Sequence, residues 1–133
     1  GNAYVANVGD TRAYLLRDGV LKQLTLDHNV TQMLLDQGEL TPEEARDHEG
    51  RHYLTKAVGI ARTVDPAYGQ TPLGPGDAVL ICSDGLYNMV PPSDLAGLAA
   101  RAVQTDDGRC LIEAANRGGG RDNITAVIIA CWR

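Results

Sequence analysis

The sequence has little that would direct it to a membrane or to a nucleic acid. Its 133 residues include no apolar run of the ~18 residues that a membrane-spanning helix needs. Twelve Lys and Arg stand against seventeen Asp and Glu, a net charge of −5. The chain therefore lacks the broad basic surface that attracts phosphate backbones or anionic lipid. We expect neither a nucleic-acid partner nor a membrane partner.

Cysteine is also scarce, and its pattern does not suit a disulfide framework. The three cysteines are odd in number, and Cys82 and Cys131 lie in apolar runs typical of buried strands, where Cys behaves as a small hydrophobic residue. We therefore expect a reducing, cytoplasmic setting. The chain is already in a strand-like run at Ala3 without an initiator Met, so we also expect it to be part of a longer protein.

Length and composition indicate one folded domain. Hydrophobic residues make up 44% of the chain and charged residues 22%, which are ordinary values for a globular protein. Near the start, β-like runs over residues 3–8, 12–16 and 20–25 are separated by the pairs Gly9-Asp10 and Asp18-Gly19. Such pairs are typical of tight hairpins. The pattern predicts a three-stranded antiparallel meander.

Helical signals follow in the middle of the chain. Residues 30–38 fit a short amphipathic helix that ends at Gly38. Thr41, with Glu44 three residues later, has the spacing of a capping box, which predicts a second short helix. The polar, mixed segment 47–63 is predicted to be irregular.

The last third alternates buried strands and helices. The apolar run 78–82 follows a turn-rich segment and predicts a central buried strand, and residues 124–131 predict a second one. Between them, helices are expected to about residue 104 and from 106 to 116, before three glycines. This order of elements indicates an α+β fold with a mostly antiparallel sheet.

Three aspartates stand at predicted strand ends: Asp10, Asp84 and Asp122. If the strand over 78–82 lies antiparallel to the last strand, Asp84 and Asp122 project from the same rim of the sheet. Carboxylates without a neighbouring Lys suit a hard divalent cation such as Mg²⁺ or Mn²⁺. The alternative is that each Asp only caps its own turn, which is the commoner role for any one of them taken alone.

Four segments, in this order, resemble the metal-dependent protein phosphatase family, the type 2C serine/threonine phosphatases. They are residues 6–13 (ANVGDTRA), 24–28 (LTLDH), 76–86 (GDAVLICSDGL) and 121–127 (RDNITAV), with 54–59 (LTKAVG) between the second and third. Each segment alone is a weak signal. Together they cover nearly the whole chain, and their joint order is specific.

The resemblance implies an antiparallel β-sandwich flanked by helices in four layers, α-β-β-α, incomplete at its N-terminal side. Residues 1–133 would be the C-terminal portion of a single phosphatase domain, with a flap-like insertion around 28–65. The implied activity is hydrolysis of phosphoserine and phosphothreonine in protein substrates by a water that two Mn²⁺ or Mg²⁺ ions activate. Asp84 and Asp122 match ligands of a catalytic metal, and Asp10 matches a ligand of a further, more loosely held ion.

The chain departs from the family pattern in two ways. The family's Asp-Gly-His-Gly segment, an acidic residue upstream of it and a phosphate-binding Arg are missing, so we expect this chain alone to lack part of the site. Asn88 stands where many members have an acidic residue, which weakens the third metal position. The alternative function is a non-catalytic phosphatase-like binding or regulatory module, and the presence of both Asp84 and Asp122 favours the enzyme. The substrate and the oligomeric state stay open.

Overall fold

The computed structural model describes residues 1–131, along which strands form two antiparallel sheets. In chain order the elements are β1 (Asn2–Asn7), β2 (Arg12–Arg17), β3 (Val20–Gln23), α1 (Val30–Asp36), 3-10 helices at Glu44–Arg46 and Glu49–His52, β4 (Ala67–Pro72), β5 (Ala78–Cys82), α2 (Asp84–Tyr87), α3 (Pro92–Thr105), α4 (Arg109–Arg117) and β6 (Ala126–Ala130). The larger sheet has the order β3-β2-β5-β6, and β1 pairs with β4 in the smaller one. The predicted antiparallel α+β fold is confirmed.

The hydrophobic core lies between the four-stranded sheet and the α3–α4 pair. Ala78, Leu80 and Cys82 alternate along β5 and are buried at this face, where they join Leu86 of α2 and Leu111 of α4. Each buried Leu contributes roughly 1.5–3 kcal/mol relative to an exposed one. The cluster therefore fixes α2 firmly at the end of β5.

The predicted three-stranded meander is wrong in its first strand. β2 and β3 form the expected hairpin, but β1 pairs with β4, so that Asn2 lies opposite Pro72. Only Gly9 of the Gly9-Asp10 pair has a positive φ, at 103°, so the pair does not form a type I′ hairpin turn, which needs positive φ at both residues. The turn instead carries the chain from one sheet to the other. β4 was not predicted, because its sequence AYGQTP contains few strand-forming residues.

The other predicted elements are found, with two differences of detail. Thr41 and Glu44 exchange the hydrogen bonds of a capping box, at 2.8 and 3.3 Å, but the helix that follows is a single 3-10 turn, Glu44–Arg46. The last strand is not fully buried as predicted, since Val127 and Ile129 are about half exposed, at 49% and 53%. Ala126, Ile128 and Ala130 of β6 pack against the core, so Val127 and Ile129 lie on the opposite face of the sheet, where Ile81 of the internal strand β5 is also exposed.

Apolar side chains are exposed on both sheets. Ile81 lies opposite Val127 in the β5–β6 register, and with Ile129 these exposed residues share the sheet face away from the α3–α4 core. On the smaller sheet, Tyr4 and Tyr68 are 75% and 79% exposed. Among residues 1–131, no helix combines the length and apolar character needed to cross a bilayer. The three cysteines are free.

We expect the 133-residue chain to self-associate when purified alone, because an exposed apolar row beside an edge strand favours pairing with a second copy. Replacing both Val127 and Ile129 by Thr keeps the β-branched shape but removes apolar surface, and should shift the chain towards monomer. Light scattering coupled to size-exclusion chromatography measures the mass. The matched control is Val20→Thr, an exposed valine on β3 at the opposite edge of the sheet. Equal masses for all three proteins would contradict the prediction.

Candidate functional site

Asp84 opens α2 directly after β5, and the chain on either side of it is tied to the loop that precedes β6. The β5–β6 pairing ends with Cys82 opposite Ala126. Beyond it, the Ser83 amide donates to the Thr125 carbonyl at 3.1 Å, and the Ser83 hydroxyl accepts from the Thr125 amide at 3.0 Å. These bonds extend the strand pairing towards the loop that carries Asp122.

Gly85 sets the close approach of α2 to that loop. A Cβ atom at this buried position would clash with the backbone carbonyl oxygen of Asn123 and would lie 3.5 Å from the carbonyl carbon of Asp122. Glycine is therefore required if the two backbones are to pack this tightly. The packing brings the backbone of α2, which begins at Asp84, against the loop that carries Asp122.

Asp10 reaches the same rim from the turn between the two sheets. The neighbouring residue, Gly9, is buried; its amide donates to Nδ1 of His28 at 3.1 Å, and its carbonyl accepts from the His28 amide at 3.0 Å. Burial, followed by the nearby charge of Lys56, lowers the pKa of His28. Its ring is therefore neutral near pH 7, and Nδ1 can accept the Gly9 hydrogen bond that fixes the turn.

A buried ion pair lies next to the Asp10 turn. The Arg12 guanidinium binds Asp27 through two hydrogen bonds, at 2.9 and 2.6 Å, and the Asp27 side chain is only 8% exposed. Arg12 also stacks on the Tyr87 ring, 3.7 Å from its centroid, and donates to the Tyr14 hydroxyl. Arg12, two residues after Asp10, is thus held by Asp27.

The three predicted aspartates differ in their surroundings. Asp10 and Asp84 are partly buried, and Asp122 is exposed. Burial and then the charge of Asp84 raise the pKa of Asp10, which indicates that the two carboxylates repel each other across the rim. One Asp122 oxygen accepts from the Asn123 amide at 2.7 Å, so the turn-capping role considered for these residues is present at Asp122.

The donor set fits part of a site for a hard divalent cation. Carboxylate oxygens are the ligands that Mg²⁺ and Mn²⁺ prefer, and repulsion between carboxylates is relieved when a cation binds them. Within residues 1–131, however, no group of three or more His, Cys, Asp or Glu side chains is arranged to hold a metal ion. The described residues therefore supply some ligands of such a site but not a complete set.

Asn88 lies one helical turn after Asp84, where the chain leaves α2. Its side chain is exposed, and its backbone amide donates to the Asp84 backbone carbonyl at 2.9 Å. Residues four apart share one face of a helix, so Asn88 is on the face that also carries Asp84. The side-chain amide of Asn88 offers a neutral oxygen on this face, whereas a carboxylate would also carry a negative charge.

Four residues of this region were not predicted to have a role in the site: Ser83, Gly85, Tyr87 and Asp27. Ser83 and Gly85 flank Asp84 in sequence, and a glycine at the start of a helix is a signal of close backbone approach. For Asp27, no local pattern indicates pairing with an Arg fifteen positions earlier. Tyr87 is likewise linked to Asp10 only through the fold.

A cleft of about 740 Å³ lies beside the Arg12–Asp27 pair. One wall comes from α1 and the 3-10 helices, including Arg46 and Arg51, and the other comes from the connection between α2 and α3, including Met89 and Pro91. The cleft is open at the surface and is large enough for several side chains of a polypeptide.

Comparison with known proteins finds serine/threonine phosphatases that are similar to the chain. The family model described as protein phosphatase 2C matches residues 1–34. The serine/threonine phosphatase stp of Listeria monocytogenes is 39% identical over 126 residues, which are 94% of this chain and 50% of that protein. The S. agalactiae serine/threonine phosphatase structure has a TM-score of 0.87 and 37% identity, covering 97% of this chain and 54% of that one. Over nearly its whole length, the chain is therefore similar to serine/threonine phosphatases.

A further type 2C phosphatase structure bears on the metal site. The catalytic domain of the serine/threonine protein phosphatase PstP, solved in complex with two manganese ions, has a TM-score of 0.79 and 36% identity; the match covers 96% of this chain and 52% of that one. The chain thus spans about half the length of the relatives that it matches. This agrees with the incomplete ligand set in residues 1–131.

We expect Gly85→Ala to destabilise the chain, because the added methyl group overlaps the Asn123 carbonyl. Overpacking of this kind costs about 1–3 kcal/mol of unfolding free energy, measured by urea denaturation. Gly97→Ala in the middle of α3 is the matched control, since no atom lies within 4 Å of its added Cβ; it should raise the unfolding free energy by ~0.5–1 kcal/mol. Similar effects of the two substitutions would contradict the tight packing at Gly85.

Proposed function

We propose that this chain is the C-terminal portion of a metal-dependent protein serine/threonine phosphatase. Its substrates would be proteins carrying phosphoserine or phosphothreonine, and its cofactors two Mn²⁺ or Mg²⁺ ions. Two observations support the proposal: Asp10 lies close enough to Asp84 to be affected by its charge, and α2, which begins at Asp84, packs against the loop of Asp122. Among the described residues, no arginine or lysine forms an ion pair with these aspartates. The two manganese ions of the PstP structure support the choice of metal.

In this proposal Asp84 and Asp122 hold a catalytic ion, and Asp10 holds a further ion more loosely. When bound, such ions lower the pKa of a coordinated water and neutralise charge on the phosphoryl oxygens during in-line displacement. The chain's own part is to keep these carboxylates fixed and ionised. Ser83 and Gly85 lock Asp84 to the Asp122 loop, and Asp27 keeps the Arg12 charge from pairing with the ligands.

The remaining ligands would come from the part of the phosphatase domain that lies outside this sequence. We place the substrate polypeptide in the 740 Å³ cleft, because it opens next to Arg12 and Tyr87 and one of its walls comes from the flap-like segment 28–65. A cytoplasmic location fits the three free cysteines.

The second candidate is a regulatory module that keeps the fold without the metal. The electrostatics argue against it. Two carboxylates that repel each other in a partly buried site are a cost to the folded chain, as the raised pKa of Asp10 indicates. A module with no use for a cation would be more stable with a neutral side chain at either position, so retention of the acids favours the enzyme.

Replacing Asp84 or Asp122 by Ala in the full-length protein should abolish Mn²⁺-dependent release of phosphate from a phosphothreonine peptide, because each variant loses a metal ligand. The same loss should follow addition of a chelator to the unmodified protein. Asp94→Ala is the matched control, an exposed carboxylate at the start of α3 that should leave the rate unchanged. Full activity in chelator, or in either of the first two variants, would refute the metal-dependent mechanism.

Asn88→Asp should tighten binding of the third, loosely held ion, because a carboxylate offers charge that an amide lacks. Calorimetric titration of the full-length protein with Mn²⁺ would show this as a higher affinity or an added site. Asn116→Asp on α4, also exposed, controls for the change in net charge. If Asn88→Asp and the unmodified protein have the same affinity and stoichiometry, Asn88 does not limit metal binding.

A further inference from the structure

Tyr87 connects the two parts of the site that come from different sheets. Its hydroxyl donates to the backbone carbonyl of Asp10 at 2.8 Å, and it belongs to the same short helix as Asp84. We propose that Tyr87 is a positioning residue that holds the Asp10 turn beside Asp84 in the geometry that metal binding requires. This inference rests on the proposed function, since it assigns Tyr87 a role towards the metals of that site.

The rim needs such a link because its carboxylates push each other apart. The charge of Asp84 raises the pKa of Asp10, and in the metal-free chain this repulsion tends to open the turn. His28 holds the turn on the side of Gly9, through the two hydrogen bonds described above. On the side of the turn that faces α2, the Tyr87 hydroxyl holds the Asp10 backbone through its hydrogen bond to the carbonyl.

The Tyr87 side chain packs against the hydrophobic core, and the Arg12 guanidinium lies over its ring. Leu86, the preceding residue, is fully buried in the core and anchors the helix, while Arg12 lies over the Tyr87 ring at 3.7 Å. Arg12 is fixed in turn by its paired hydrogen bonds to Asp27. The Tyr87 ring therefore has little freedom to rotate, which keeps its hydroxyl within hydrogen-bonding distance of Asp10. Because Tyr87 and Asp84 belong to the same short helix, this hydrogen bond fixes the position of the Asp10 turn relative to Asp84.

The role of the Tyr87 hydroxyl can be tested separately from the role of its ring, because the hydroxyl bonds to Asp10 and the ring contacts Arg12. Tyr87→Phe removes the hydrogen bond to Asp10 but keeps an aromatic ring for the Arg12 stack, so the change tests positioning rather than packing. Burial also raises the pKa of Tyr87, so its hydroxyl remains a donor throughout the pH range of any assay. One lost hydrogen bond of this type corresponds to about a 3- to 10-fold change in an equilibrium constant.

The experiment is a calorimetric titration of the full-length protein with Mn²⁺, comparing the unmodified protein, Tyr87→Phe and Tyr68→Phe. Tyr68 is 79% exposed on the smaller sheet and serves as the control. We expect Tyr87→Phe to bind the Asp10-dependent ion about 3- to 10-fold more weakly and Tyr68→Phe to bind it normally. In an Asp10→Ala background, Tyr87→Phe should cause no additional loss, because its effect acts through the Asp10 turn.

The outcomes separate the inference from the function. Equal Mn²⁺ affinity in Tyr87→Phe and the unmodified protein overturns the positioning role, while the phosphatase proposal stands. The positioning role is also overturned if the only effect of Tyr87→Phe is a lower melting temperature of the metal-free protein. An equal loss in the presence and absence of Asp10 also overturns it. If the unmodified full-length protein binds no Mn²⁺, both the inference and the proposed function are wrong.

Discussion

The site depends on one close contact, the packing of Gly85 against the Asn123 backbone. α2 is only four residues long, and each of its residues has a different neighbour. Asp84 faces the rim, Gly85 touches the loop of Asp122, Leu86 fills the core and Tyr87 bonds to Asp10. A shift of this helix would therefore change the positions of all three aspartates relative to one another. The helix is kept in place by the core, into which Leu86 packs, and by the hydrogen bonds between Ser83 and Thr125 that extend the β5–β6 pairing.

The charges of the chain are divided between structural pairs and functional groups. Arg12 pairs with Asp27 and Arg17 with Asp77, and in both pairs the carboxylate is buried and the arginine binds it through two hydrogen bonds. These arginines hold the pairs together and cannot at the same time neutralise the rim. Removing Asp27 would leave the largely buried Arg12 charge without its partner, which is strongly destabilising. Among the described residues, the aspartates of the rim have no such partner.

Much of this arrangement can be predicted from the sequence, and the failures have definite causes. The strands β5 and β6 and the helices α3 and α4 follow from local apolar patterns, and the pairing of Asp84 with the Asp122 loop follows from the order of the strands. The partner of β1 does not, because its neighbour β4 is encoded by residues of low strand propensity and lies far along the chain. The roles of Asp27 and Tyr87 depend on contacts made only after the sheets have formed. Local sequence therefore predicts which residues form the rim but not the interactions that support them.

The division of the first two strands between separate sheets has a consequence for folding. β1 pairs with β4, and β2 pairs with β5 as well as with its hairpin partner β3, so the strands on both sides of Asp10 depend on partners far along the chain to complete their pairing. Contacts between distant residues form slowly, because loop-closure entropy is lost before they become favourable. The hairpin of β2 and β3 and the α3–α4 pair, by contrast, are local in sequence. During synthesis on the ribosome, the Asp10 turn would therefore reach its final position only after β5 and α2 have emerged, which makes the rim one of the last parts of the domain to form.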